Sequence, residues 1–185
     1  MKKLLCLIFP MLLAHGATIY VDANAPANGN GSEKQPFNTI QKAADMLKSF
    51  SVPFEVHIYS AHRTPVEARD FALSARDNGF GVLIAAAGMA AHLAGAIAAN
   101  TTLPVIGIPC KGPVLDGLDA LLSTVQMPTG IPVATVAVNG GANAALLALQ
   151  ILAVSDADLA AKLDAKRAND AAAVLAKDAA VMEKL

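Results

Sequence analysis

Phe54-Glu55-Val56-His57-Ile58-Tyr59-Ser60-Ala61-His62-Arg63-Thr64-Pro65-Val66-Glu67 is the stretch that decides the fold. Its first half sets Phe54, Val56 and Ile58 against Glu55, His57 and Tyr59, the period of two that marks a β-strand over 54–60. Its second half switches to a helix start. Thr64 takes the cap position, the fixed φ of Pro65 suits the first turn, and Glu67 completes a capping box. Asn78-Gly79 then stops the helix, since Gly and Asn accept the left-handed backbone found there.

The same alternation extends in both directions. Residues 37–50 carry Ile40, Ala44 and Leu47 on one helical face. Downstream, strands are expected at 82–86, 105–108 and 133–138, and helices at 90–99, 116–125 and 142–153. Strands that alternate with helices at this spacing form right-handed crossover units, so the fold is α/β with a parallel sheet covered on both faces. Residues 155–185 are Ala-rich and charged, with Ser155 and Asp158 spaced as a capping box. They are expected to form a long C-terminal helix, broken near Asn169, that protrudes or packs on a neighbour.

The charge is low for a soluble domain. Only 16% of the 185 residues are charged while 55% are hydrophobic, against about 25% charged in an average domain. The net charge of −1 leaves no basic excess to grip a polyphosphate, which argues against nucleic acid. Two cysteines, Cys6 and Cys110, are too few for a disulfide framework or a cysteine zinc site. Between residues 80 and 154 only Lys111, Asp116 and Asp119 carry charge. Residues 81–99 are uncharged, yet their Ala and Gly content, His92 and the break at Gly88 argue against a membrane span. Buried contact with further subunits explains that deficit better, so a homo-oligomer is expected.

The N-terminus has a separate cause for its low charge. Met1-Lys2-Lys3, an apolar run over 4–13 and the small residues Ala14-His15-Gly16-Ala17 have the order of a secretory signal, with cleavage after Gly16 or Ala17. The expected organisation is therefore a signal-like segment at 1–17, an atypical segment at 18–36 holding a candidate first strand at 18–22, an α/β body at 37–154, and the helix at 155–185.

In open parallel sheets ligands bind beyond the carboxyl ends of the strands. That rule selects the loops Ser60-Ala61-His62-Arg63-Thr64, Ala87-Gly88-Met89, Pro109-Cys110-Lys111-Gly112 and Asn139-Gly140-Gly141. The first puts an imidazole, a guanidinium and hydroxyls at a helix N-terminus, where free N–H groups favour an anion. Arg63 suits phosphate, Ser60 can add a hydrogen bond, and His62 can exchange a proton. Gly88 permits close approach to the backbone. His92, early in an apolar helix, reads as a core histidine; His57 has no partner in view and no assigned role. Cys110 reads as a buried structural thiol. Lys111 is either a solvated charge or an anion contact. Gly140-Gly141 falls short of a dinucleotide fingerprint, and no metal-ligand spacing appears. The residues alone give an anion site with one acid/base histidine.

Residues 37–153 resemble the 5-(carboxyamino)imidazole ribonucleotide mutase family, also known as the catalytic subunit of phosphoribosylaminoimidazole carboxylase. Ser60-Ala61-His62-Arg63-Thr64-Pro65, Gly88-Met89-Ala90-Ala91-His92-Leu93 and Thr102-Leu103-Pro104-Val105-Ile106-Gly107 carry the resemblance. The run from Gly117 through Asp119 to Gln126-Met127-Pro128, and Asn143-Ala144-Ala145-Leu146-Leu147-Ala148, complete it. It implies a flavodoxin-like three-layer fold, a homo-octamer, a cytoplasmic purine-pathway enzyme, an aminoimidazole ribonucleotide substrate, and neither metal nor organic cofactor. It further implies that His62 moves a proton while a carboxylate migrates from the exocyclic nitrogen to carbon 4 of the imidazole. By the same resemblance Ser60, Ala61 and Arg63 bind substrate, Ala87 and Gly88 face the carboxylate, and His92 joins His62 in the site.

The family's opening Gly-Ser-x-Ser-Asp loop has no full counterpart here, because Gln35-Pro36 stands where its Asp belongs. Residues 1–45 instead resemble a signal followed by the start of a secreted right-handed β-helix protein, through Ile19-Tyr20-Val21-Asp22, Gly31-Ser32 and Pro36-Phe37-Asn38-Thr39-Ile40. Two alternatives accompany the mutase reading: a non-catalytic ribonucleotide-binding scaffold, and a related carboxylase using free carbon dioxide.

Overall fold

The computed structural model describes residues 16–21, 36–113 and 115–183. Among the described residues five parallel strands run in the order β2-β1-β3-β4-β5. β1 is Gly16–Val21, β2 Phe54–Ile58, β3 Phe80–Gly88, β4 Val105–Cys110 and β5 Ala134–Thr135. The helices are α1 Pro36–Ser49, α2 Pro65–Ser74, α3 Leu93–Ala98, α4 Leu118–Val125, α5 Gly141–Ala153 and α6 Ala157–Met182. This is the doubly wound order of the flavodoxin-like fold. β1 pairs with β2 from Ala17↔Phe54 to Val21↔Ile58, and with β3 as far as Val21↔Ala86. Gly16 and Ala17, placed by sequence in the signal-like segment, thus belong to the sheet. The rest of that segment and the loop at 22–35 lie outside the described residues.

β3 shows why both faces are covered. Val82, Ile84 and Ala86 enter one core with α1, α5 and the start of α6, while Leu83, Ala85 and Ala87 enter the other with α2 and α3. A strand buried on both sides has no polar face to alternate with, hence its continuous apolar run. On α1, Ile40, Ala44 and Leu47 are all buried. Gly107 lets β4 and α4 approach closely: a Cβ there would collide with Thr124 Cγ2 and lie 3.0 Å from Val133 Cγ1.

Several local expectations need correction. The box at Thr64 does not form: Thr64 makes no side-chain cap bond to α2. Its Oγ1 instead accepts the Ser60 N–H at 2.8 Å. α6 is capped by Asp156, whose Oδ1 accepts Leu159 N–H at 2.9 Å, and not by Ser155, which donates back to Leu152 O. α6 also runs unbroken through Asn169. Ala, Lys and Arg around that residue carry high helix propensity, enough to absorb one Asn. β5 shrinks from the expected 133–138 to Ala134–Thr135, lying at the edge of the sheet with one neighbour among the described strands. No described helix is long and apolar enough to cross a membrane.

Candidate active site

The sequence 59–64 turns sharply because Ser60 clasps it. The buried Ser60 Oγ accepts the N–H groups of His62 at 3.3 Å and Arg63 at 3.2 Å. The Thr64 N–H and hydroxyl both donate to Ser60 O. With its acceptor positions engaged, the Ser60 hydroxyl retains one proton to donate. The clasp turns His62 and Arg63 outward, and both are exposed. Arg63 makes no ion pair among the described residues, so its guanidinium is open to an anion beside the N-terminus of α2.

His92 is corrected from a core histidine. It occupies the N-cap of α3 and is exposed. An N-cap side chain stands outside the helix it starts, so the apolar stripe of α3 begins only at Leu93, which is fully buried. The rings of His62 and His92 stack at a centroid distance of 5.9 Å and an interplanar angle of 15°. Two imidazoles from separate strand-to-helix loops are therefore face to face above the sheet.

Ala87 and Gly88 close β3 at its carboxyl end. Ala87 is buried in the second core, so its backbone is the part of it presented at the strand end. Gly88 pairs with Cys110 across β3 and β4. A Cβ on Gly88 would sit 3.6 Å from Cys110 O, an ordinary contact. Packing therefore tolerates a side chain at 88. Ala61 is half-buried and packs on the second core.

Two residues of the loops selected by sequence had no role assigned to them. Met89 adopts φ +56°, a left-handed conformation costly for a non-glycine residue, and stays half exposed at the site. Asn139, at φ +57°, accepts the Lys111 N–H on its Oδ1 at 3.0 Å and so ties the loops after β4 and β5 together. Position at strand ends was the available signal for both. Lys111 itself pairs with Asp116 at 3.2 Å on the surface, and Cys110 is a buried thiol. His57, left without a partner by the sequence, has several: Glu55 Oε2 lies 3.0 Å from its Nε2, and its ring stacks on Tyr59 at 5.4 Å. Residues of the same strand face set two apart become neighbours, which put these three in reach of each other. Among the described residues no group of three His, Cys, Asp or Glu side chains is placed to hold a metal.

The AIR carboxylase family matches residues 30–173. The N5-carboxyaminoimidazole ribonucleotide mutase of Mycobacterium leprae is 52% identical over 143 residues, covering 77% of this chain and 84% of that one. The enzyme of the same name from Bacillus subtilis is 51% identical over 141 residues, covering 75% and 87%. The crystal structure of Treponema denticola PurE superposes with a TM-score of 0.72 at 23% identity, over 89% of this chain and 98% of that one, and shares the fold. With a family match over most of its length and relatives half identical to it, the chain belongs to the AIR carboxylase family.

Proposed function

We propose that this protein is a purine-biosynthesis enzyme, an intramolecular transferase that converts 5-(carboxyamino)imidazole ribonucleotide to 4-carboxy-5-aminoimidazole ribonucleotide. The observation that carries the reading is the exposed, stacked His62–His92 pair at the carboxyl end of the sheet, in a chain half identical to enzymes named for that reaction. His62 serves as general acid/base, giving a proton to the exocyclic nitrogen as the carboxylate leaves it and taking back the proton that leaves carbon 4 as the carboxylate arrives there. Arg63 anchors the substrate phosphate, aided by the Ser60 hydroxyl and the N-terminus of α2. Ala61 contributes its backbone to the substrate pocket. The Ala87–Gly88 backbone lies beside the migrating carboxylate, and His92 lines the other side of it.

Turnover tests the reading. Carboxylation removes the hydrogen on carbon 4, so the proton signal of that position disappears as substrate is consumed. The full chain is expected to consume it, whereas His62→Asn is expected to bind substrate without consuming it. A wild-type chain that binds and does not turn over would leave only the scaffold alternative.

The same proposal includes a homo-oligomer, an octamer. Leu118, Leu122 and Val125 recur on one face of α4 and are each about half exposed, at 52%, 47% and 50%. Val174, Leu175, Val181 and Met182 are exposed on the outer half of α6. Beside the α4 stripe, Asp119 Oδ1 is buried with no hydrogen-bond partner among the described residues, an arrangement that wants a donor from elsewhere. Light scattering is expected to give a single oligomeric species, and a monodisperse monomer would refute it. The proposed working compartment is the cytoplasm, and mass spectrometry of the mature N-terminus would test that placement against the signal-like residues.

A further inference from the structure

His92 can face His62 only if its ring is held, and no hydrogen bond among the described residues holds it. One turn along α3 lies Gly95, buried and helical. No left-handed conformation calls for glycine there, and glycine inside a helix costs about 0.5–1 kcal/mol relative to alanine. Space is the remaining reason. A Cβ built on Gly95 would lie 3.8 Å from His92 Nδ1, and 3.2 Å and 3.3 Å from Sδ and Cε of Met127. The imidazole and the thioether therefore converge on one bare patch of backbone. Met127 reaches it from a different element, the turn leaving α4, where its N–H donates to Val125 O at 2.9 Å.

We propose that Gly95 and Met127 are positioning residues that set the orientation of the His92 ring. Gly95 leaves the space into which the ring folds back over the first turn of α3. Met127 fills the part of that space the ring leaves open, using the adaptable packing and ring affinity of a thioether. Neither residue touches the reacting atoms. The inference rests on the reading of His92 as a site residue, and it links the segment after α4 to the stacked pair through packing alone.

The test uses the full chain with Met127→Ala, Met127→Leu, Gly95→Ala with Met127→Ala, and His92→Ala with and without Met127→Ala. Small displacements of an active-site group cost up to about a hundredfold in rate, so Met127→Ala is expected to lower kcat about tenfold with KM within about twofold. The imidazole NMR signals of His92 should move in the same variant. Met127→Leu, which retains most of the volume, should stay close to wild type. Adding Gly95→Ala to Met127→Ala should recover most of the lost rate, because the new methyl occupies the vacated space. In the His92→Ala background Met127→Ala should cost nothing further.

Unchanged kcat and unchanged His92 signals in Met127→Ala would overturn the inference, as would an equal loss in the His92→Ala background. Wild-type activity in His92→Ala would instead sink the role of His92. The NMR signals of Met127→Ala would then still decide whether Met127 positions the ring.

Discussion

His57 and His62 lie five residues apart and have opposite surroundings. His57 sits on β2 between Glu55 and Tyr59, with its ring also 5.1 Å from Phe71. His62 sits just beyond the strand on an exposed turn, its ring stacked on another imidazole. One histidine has its polar and aromatic contacts supplied by the chain, so it contributes packing and stability. The other keeps its ring nitrogens uncommitted among the described residues, so they are available to a ligand. The difference arises where the strand ends: on β2 the period of two sets neighbours beside each ring, and after Ser60 the clasp turns the chain outward.

That contrast predicts where substitutions act. The largest effect belongs to His62→Asn, which removes the proton carrier and is expected to lower kcat about 10²–10⁴-fold with thermal stability unchanged; steady-state kinetics beside calorimetry check both halves. Arg63→Ala is next. Loss of a charged hydrogen-bond donor worth about 1.5–3 kcal/mol should raise KM by roughly ten- to a hundredfold, and that effect should shrink for a substrate lacking the phosphate. Gly107→Ala reverses the pattern: crowding against Thr124 and Val133 should cost about 1–3 kcal/mol in denaturant unfolding while residual folded protein keeps its kcat. His57→Ala is the smallest, with a loss of about 0.5–1.5 kcal/mol from its hydrogen bond and turnover within twofold of wild type. Equal kinetic damage from His57→Ala and His62→Asn would break the contrast.

Much of this was legible in the residues. The alternation of periods over 54–67 gives a strand that becomes a helix, and repetition of that unit leads to the parallel sheet that is observed. The strand-end rule picks out Ser60, His62, Arg63 and Gly88 without knowledge of contacts. What local pattern could not supply was pairing across the chain. Thr64 looks like a helix cap because Glu67 follows, but Ser60 competes for its hydroxyl and wins. His92 looks like a core residue because apolar neighbours surround it in sequence, yet the helix begins after it and leaves it outside. The role of Ser60 as clasp, and the convergence of Met127 and His92 on Gly95, depend on distances that no one-dimensional spacing encodes.

The charge deficit between residues 80 and 154 has a structural counterpart of the same kind. β3 and β4 are buried on both faces within one chain, which accounts for their share of it. α4 keeps an apolar face uncovered, the face assigned above to the proposed oligomer. Leu122→Asp is expected to dissociate the proposed oligomer while leaving far-ultraviolet circular dichroism intact, and light scattering would read the change.

The central claim is that the carboxylate migrates within this site rather than exchanging with the medium. Substrate labelled with ¹³C in its carboxylate, turned over in excess unlabelled bicarbonate, tests that claim most directly. Product that retains the label is the predicted result. Product diluted to the bicarbonate pool would show a carboxylase drawing on free carbon dioxide, and would contradict it.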